Sequence, residues 1–183
     1  MDSKIEDQII TSCGRLITKV GTQAFSLEKL SELPEIKGLD FSAYLSSEEE
    51  VFEKLLLTLE KELNDLMEGI SANQHAPSDE FEKLFKELHG LFSQKPYYLM
   101  VIFDKNLRQL GSVDVIISRI KELAEQHLTR LIDQGKAQNI FKVSAETNVL
   151  VKLILGSFQN LMNNMQLADN MLNDLIRKQS ITD

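Results

Sequence analysis

The stretch FSLEKLSELPEIKGLDFSAYLSSEEEVFEKLL, residues 25–56, decides the fold. Ser26 stands ahead of Leu27 and Leu30 as a predicted helix N-cap, its hydroxyl placed to accept one of the amide protons that a first helical turn leaves unpaired. Phe25 before it can staple onto Leu30. Pro34 cannot continue that helix. Ile36 then falls in a turn, and Phe41, Tyr44 and Leu45 predict a short third helix. Ser47, followed three residues later by Glu50, forms a capping box that opens a long fourth helix.

Upstream, Ile5, Ile9, Cys13, Leu16, Ile17 and Val20 recur at steps of mainly three and four, which puts all six on one face of a first helix ending at Gly21. Together the segments predict a helix-turn-helix with a supporting first helix.

On these residues the chain resembles the tetracycline-repressor (TetR) family of one-component transcriptional regulators. Leu27, Leu30, Ile36, Phe41, Tyr44 and Leu45 match the core positions of that family's DNA-binding head, and Ser47 matches its cap. The resemblance implies an all-α chain. An N-terminal three-helix head, residues 1–46, would be joined by the long fourth helix to a helical-bundle regulatory and dimerisation domain, residues 47–183. It also implies a homodimer that binds double-stranded DNA and is controlled by a small-molecule effector. Lys37 and Tyr44 would then meet phosphate, Gly38 and Ser42 would lie near base edges, and Lys29 would be a flanking cation. The chemistry departs from the family pattern at the positions that face DNA. The turn and recognition helix carry Glu35, Lys37, Gly38, Asp40, Ser42 and Ala43, Glu48 stands where a basic residue is usual, and Glu28 replaces an arginine.

Charge sharpens this departure, because DNA affinity rests on Lys and Arg neutralising phosphates. Residues 1–53 hold five cations against eleven anions, a net charge of −6 out of −8 for the whole chain. Glu48, Glu49 and Glu50 are accounted for by the dipole of the helix they open. Glu28, Glu35 and Asp40 are not. The alternative reading is therefore the same fold without useful DNA affinity, a ligand- or protein-binding helical dimer.

Past the head the pattern stays helical. Val51, Leu55, Leu56, Leu59, Leu63 and Leu66 predict the fourth helix over 47–70, with Glu50 and Lys54 paired along it. The segment SANQHAPSD, residues 71–79, reads as a linker in which Ser78 or Asp79 caps the next helix. Phe81, Leu84, Phe85, Leu88 and Phe92 form its apolar stripe. YYLMVIF, residues 97–103, follows Pro96 and reads as a buried helix continuing through Leu99, Phe103, Leu107 and Leu110. Another helix runs from Ser112 or Asp114 and ends at Gly135; the string LTRLIDQGKAQNIF around that glycine is again similar to the TetR-family body. The last segment, from Ser144 to Gln179, reads as helical with one break near Asp169, and Asn160, Asn163 and Asn164 as register-fixing or exposed positions.

The apolar faces of that segment are broader than one core contact requires, the signature of a helix that also packs on a partner. Leu153, Phe158, Leu161, Met162, Met165 and Leu172 are the candidate dimer residues, since the resembled family pairs its last two helices across a two-fold axis. Candidates for the effector site combine apolar bodies with polar tips: Tyr97, Tyr98, His89 and His127, set among Phe85, Phe92, Met100 and Phe103.

Enzymatic readings lack residues. There is no Gly-rich phosphate loop, G-x-S-x-G or H-E-x-x-H, and His75, His89 and His127 have no cysteine or carboxylate at ligand spacing on a shared face, so neither catalysis nor a metal or other cofactor is expected. The carboxylates alternate with lysines on what read as solvated faces. The 183 residues, 43% hydrophobic and 26% charged, are ordinary globular composition. With no apolar run near the roughly 20 residues a span needs, and no signal-peptide pattern in MDSKIEDQ, a cytoplasmic protein without membrane attachment is expected. Cys13 reads as a packed small residue.

Overall fold

A computed structural model describes residues 3–73 and 75–177. The end of the last predicted helix at Gln179, and Gln74 in the predicted linker, lie outside the described residues. The described chain is all-α: α1 (Ser3–Val20), α2 (Leu27–Ser31), a 3₁₀ turn (Phe41–Ala43), α3 (Glu48–Ala72), α4 (Pro77–Gln94), α5 (Tyr97–Phe103), a second 3₁₀ turn (Leu107–Gln109), α6 (Gly111–Ala137), α7 (Thr147–Gly156), α8 (Phe158–Asn163) and α9 (Met165–Ile176). No helix among the described residues is long and apolar enough to cross a membrane. The chain forms two compact units, Met1–Lys61 with Lys95–Arg119, and Glu62–Gln94 with Ile120–Asp183.

In the first unit the apolar stripe of α1 packs inward as its spacing requires, with Ile9, Cys13, Leu16 and Ile17 buried and Ile5 and Val20 half-buried. Burial pushes the Cys13 thiol up to about 12, so it is a protonated, inert core residue. Tyr97 of α5 lays its ring against Gly14 of α1 and meets Tyr98 edge-on at 4.6 Å. The buried face of α5 is Tyr97, Tyr98 and Val101, whereas Phe103 is exposed, so the expected continuation through Leu99 and Phe103 is corrected. The helix stops at Asp104, which is extended and accepts a 2.5 Å hydrogen bond from the Thr22 hydroxyl.

The second unit is built on the aromatic stripe of α4, where Phe81, Leu84, Phe85, Leu88 and Phe92 are all buried. Phe81 stacks on Phe85 at 4.7 Å and takes the edge of Phe141 at 6.4 Å, while Phe92 meets Phe158 of α8 at 5.5 Å. Three boundaries differ from expectation. Pro77 opens α4 itself, which places Ser78 and Asp79 inside the first turn and not ahead of it, because proline's missing amide is no loss there. α6 runs through Gly135 to Ala137, and the chain then reverses at Asn139, whose φ is +56°, as Gly135 O accepts from both Ile140 N and Phe141 N. Gly135 is required by close approach: a Cβ there would lie 2.1 Å from the Phe141 ring. The last segment breaks at Ser157 and Asn164, whereas Asp169 sits within α9; Asn164 is extended and its side chain accepts from Gln166 N at 3.1 Å, an N-cap and not a register contact.

Candidate nucleic-acid interface and body cluster

The head's scaffold is local chemistry. Ser26 caps α2 by accepting from Lys29 N at 3.3 Å, and Phe25 is buried against the edge of Phe52 at 5.8 Å. Ser47 caps α3 by accepting from Glu50 N at 3.2 Å, but the Glu50 carboxylate reaches back to Ser46, taking its backbone N–H and its hydroxyl at 2.7 Å each, one residue earlier than the usual box. Those bonds to Ser46, more than Lys54 nearby, hold the Glu50 carboxyl below its ordinary range. Lys54 pairs with both Glu50 and Glu6, at 3.7 and 2.7 Å. Ser47→Ala is expected to destabilise the chain by about 1 kcal/mol, read from thermal unfolding followed by circular dichroism; an unchanged midpoint would mean the cap is redundant with the Ser46 contacts.

Between α2 and α3 the expected third helix is reduced to the single 3₁₀ turn Phe41–Ala43. Pro34 and the turn that follows, with Lys37 N bonded to Leu33 O at 2.9 Å and Gly38 at φ +93°, use up the chain to Leu39. Ser46 and Ser47 are already committed to α3. Too few residues remain between to repay helix nucleation. Leu45 and Ile36 are nonetheless buried, with Phe41 and Tyr44 half-buried, so the apolar anchors hold while the helix between them does not form.

The sequence-predicted DNA contacts lie on this stretch and on α2. Lys29, Lys37, Gly38 and Ser42 are exposed and Tyr44 is half-buried. Lys29 Nζ donates to Ala24 O at 2.6 Å, and the Ser42 hydroxyl donates to Asp40 at 2.5 Å. Glu28, Glu32, Glu35 and Asp40 are exposed beside them. Glu48 accepts from Leu27 N at 3.2 Å, so the residue at the usual basic position caps α2 across the head.

The eight effector-site candidates divide between the units. Tyr97 and Tyr98 are buried on α5, with Met100 half-buried and Phe103 exposed beside them in the first unit. Phe85 and Phe92 are core residues of α4 in the second unit, where His89 is half-buried. His127 belongs to a cluster that sequence spacing missed. Glu80, in the first turn of α4, is 4% exposed, and its Oε1 accepts from Arg130 Nη2, accepts from the Ser71 hydroxyl at 3.2 Å and lies 3.5 Å from His127 Nε2. Arg130 Nη2 also donates to Ser71 Oγ at 2.9 Å and lies 3.5 Å from His127 Nε2. Burial first, then the Arg130 guanidinium, push the His127 imidazole below its ordinary range, with Glu80 pulling the other way. The expectation that the carboxylates lie on solvated faces is thus corrected at Glu80, which reaches His127 from a different helix. One signal was available: position 80 falls in phase with Pro77, Phe81, Leu84 and Leu88 on the buried face of α4. Among the described residues no group of three metal-binding side chains converges.

Of the dimer candidates, Leu161 and Met162 are buried within the second unit, Phe158 packs on Phe92, Met165 and Leu172 are half-buried, and Leu153 is 57% exposed. Val149, one turn earlier on α7, is 53% exposed. Val149 and Leu153 thus share an exposed apolar face on α7.

No protein-family model matches the sequence, and no curated protein matches it. Solved structures do. A TetR-family transcriptional regulator from Agrobacterium tumefaciens superposes with a TM-score of 0.80 at 14% identity, covering 96% of this chain and 99% of the other. The fold is that of the TetR-family regulators. The ketosteroid transcriptional regulator KstR2 of Mycobacterium tuberculosis gives a TM-score of 0.79 at 12% identity, covering 97% of both chains, and the MbdR regulator from Azoarcus sp. CIB gives 0.78 at 14%, covering 96% and 98%. At such low identity the shared architecture, and not any side-chain set, is what this TetR-like chain has in common with them.

Proposed function

We propose that the chain is a TetR-like one-component transcriptional regulator, a homodimer whose head, residues 1–46, meets double-stranded DNA and whose body, residues 47–183, is controlled by a small molecule. The observation that carries this reading is likeness to solved transcriptional regulators along nearly the whole chain, head and body together. The exposed pair Val149 and Leu153 on α7 supports pairing of two copies, since such a face loses free energy in water until it is covered. The eight effector candidates, Phe85, His89, Phe92, Tyr97, Tyr98, Met100, Phe103 and His127, all fall within residues 47–183. Lys37, Tyr44 and Lys29 would meet phosphates, and Gly38 and Ser42 would lie near base edges.

The single 3₁₀ turn at Phe41–Ala43 favours a second reading, in which the dimer binds a ligand or a protein and has no useful DNA affinity. A helix presents several side chains to the major groove along one face, and one turn flanked by Asp40 does not. Fluorescence anisotropy with the promoter region beside the protein's own gene, at low and moderate salt, separates the two. Sequence-selective binding with a steep salt dependence is expected on the first reading, and no binding even at low salt on the second. Asp40→Lys is expected to raise non-specific affinity and steepen the log–log salt slope by about one if that residue faces phosphate. An unchanged slope would remove position 40 from the interface.

A further inference from the structure

We propose that Ser71, Glu80, His127 and Arg130 form a proton-operated latch that fastens the last turn of α3 and the first turn of α4 onto α6, closed around a neutral imidazole and released when that imidazole takes up a proton. Three helices meet at one carboxylate oxygen, Glu80 Oε1, which holds the serine hydroxyl of α3 and the guanidinium of α6 together. His127 Nε2 lies at 3.5 Å from both the carboxylate oxygen and the guanidinium nitrogen. With the imidazole neutral, that nitrogen can accept from Arg130. Once protonated it becomes a donor and a cation, and two cations then share a single buried carboxylate at hydrogen-bonding range.

The charges bearing on the imidazole are Arg130 from its own helix and Glu80 from α4. Ser71 from α3 carries none. Glu68 on α3, Asp79 on α4, Asp133 on α6, and Asp169 and Asp174 on α9 are exposed; Glu62 on α3 and Lys83 on α4 are half-buried. The nearest relief is consequently motion of the latch itself. An opened corner lets solvent reach the imidazole, which then protonates in the usual histidine range, whereas the closed corner resists the proton. Acidification below about pH 6.5 therefore favours the opened form, by up to about tenfold for each pH unit until the closed form also titrates.

The test follows His127 by heteronuclear NMR through a pH titration of the full chain, alongside amide-exchange protection factors. A His127 midpoint below the ordinary histidine value of about 6.5 is expected, as is protection that falls with acid at residues 66–73, 75–84 and 124–134 while the α1 amides hold. In His127→Gln, which accepts a hydrogen bond but does not titrate, protection at pH 8 should be kept and the acid-dependent loss removed. A wild-type His127 midpoint at or above about 6.5, or protection falling equally in α1, would overturn the latch even if the variant did not fold. Persistence of the loss in a folded His127→Gln protein would overturn it as well.

Discussion

Arg130→Met is expected to lower stability by about 3 kcal/mol, a drop of roughly 6–12 °C in Tm for a chain of this size. The loss is large because of what stays behind. Glu80 is buried, and its Oε1 is held by the guanidinium together with the Ser71 hydroxyl. Methionine keeps the aliphatic length that packs along α6 but strands the carboxylate away from water. Arg130 itself is more open, its side chain 36% exposed, so the reverse substitution costs less. Glu80→Gln leaves an amide oxygen that still accepts from Ser71 and Arg130, and a loss of about 1 kcal/mol is expected. The double variant Glu80→Gln/Arg130→Met should recover more than half of the Arg130→Met loss. Chemical denaturation of the four proteins at pH 7.5 checks this cycle, and strict additivity would show that the guanidinium does not offset the desolvation of Glu80.

Gly135→Ala is expected to destabilise by about 2 kcal/mol or more, against the gain of roughly 0.5–1 kcal/mol that the same change brings in an unconstrained helix. The added methyl would overlap the Phe141 ring. That ring has nowhere easy to go, being buried, edge-on to Phe81 and tied through its backbone to the carbonyl of Gly135. Trimming the obstruction in Gly135→Ala/Phe141→Leu should make the alanine far less harmful than it is opposite phenylalanine. A stabilising single variant, judged by thermal unfolding, would mean that α6 and Phe141 separate readily.

What the sequence made legible was whatever repeats along its own helix. The α1 stripe from Ile9 to Ile17 and the α4 stripe from Phe81 to Phe92 are buried as their spacing requires, and Ser26 and Ser47 cap the helices they were assigned. The all-α class and the likeness to regulators of known structure were readable from the same positions. Features set by a neighbour from elsewhere in the chain were not. Gly135 looks like a stop signal until Phe141 is seen to need its bare Cα, and Glu80 looks like one more solvated carboxylate until Arg130 and His127 arrive from α6. The third helix failed for a different reason. Periodicity tells which residues turn inward but not whether the intervening backbone has room to close consecutive helical bonds, and between Gly38 and Ser46 it closes one turn. Of the candidate site residues, His127 was marked without its partners.

The reach of Glu48 to the Leu27 amide couples the charge at position 48 to the start of α2. A lysine there would add a cation to the rim of the head and at the same stroke strip an acceptor from the start of a helix only five residues long. A lysine at that position thus gains a charge only by giving up a cap, and a second substitution at the start of α2 would be needed to replace it.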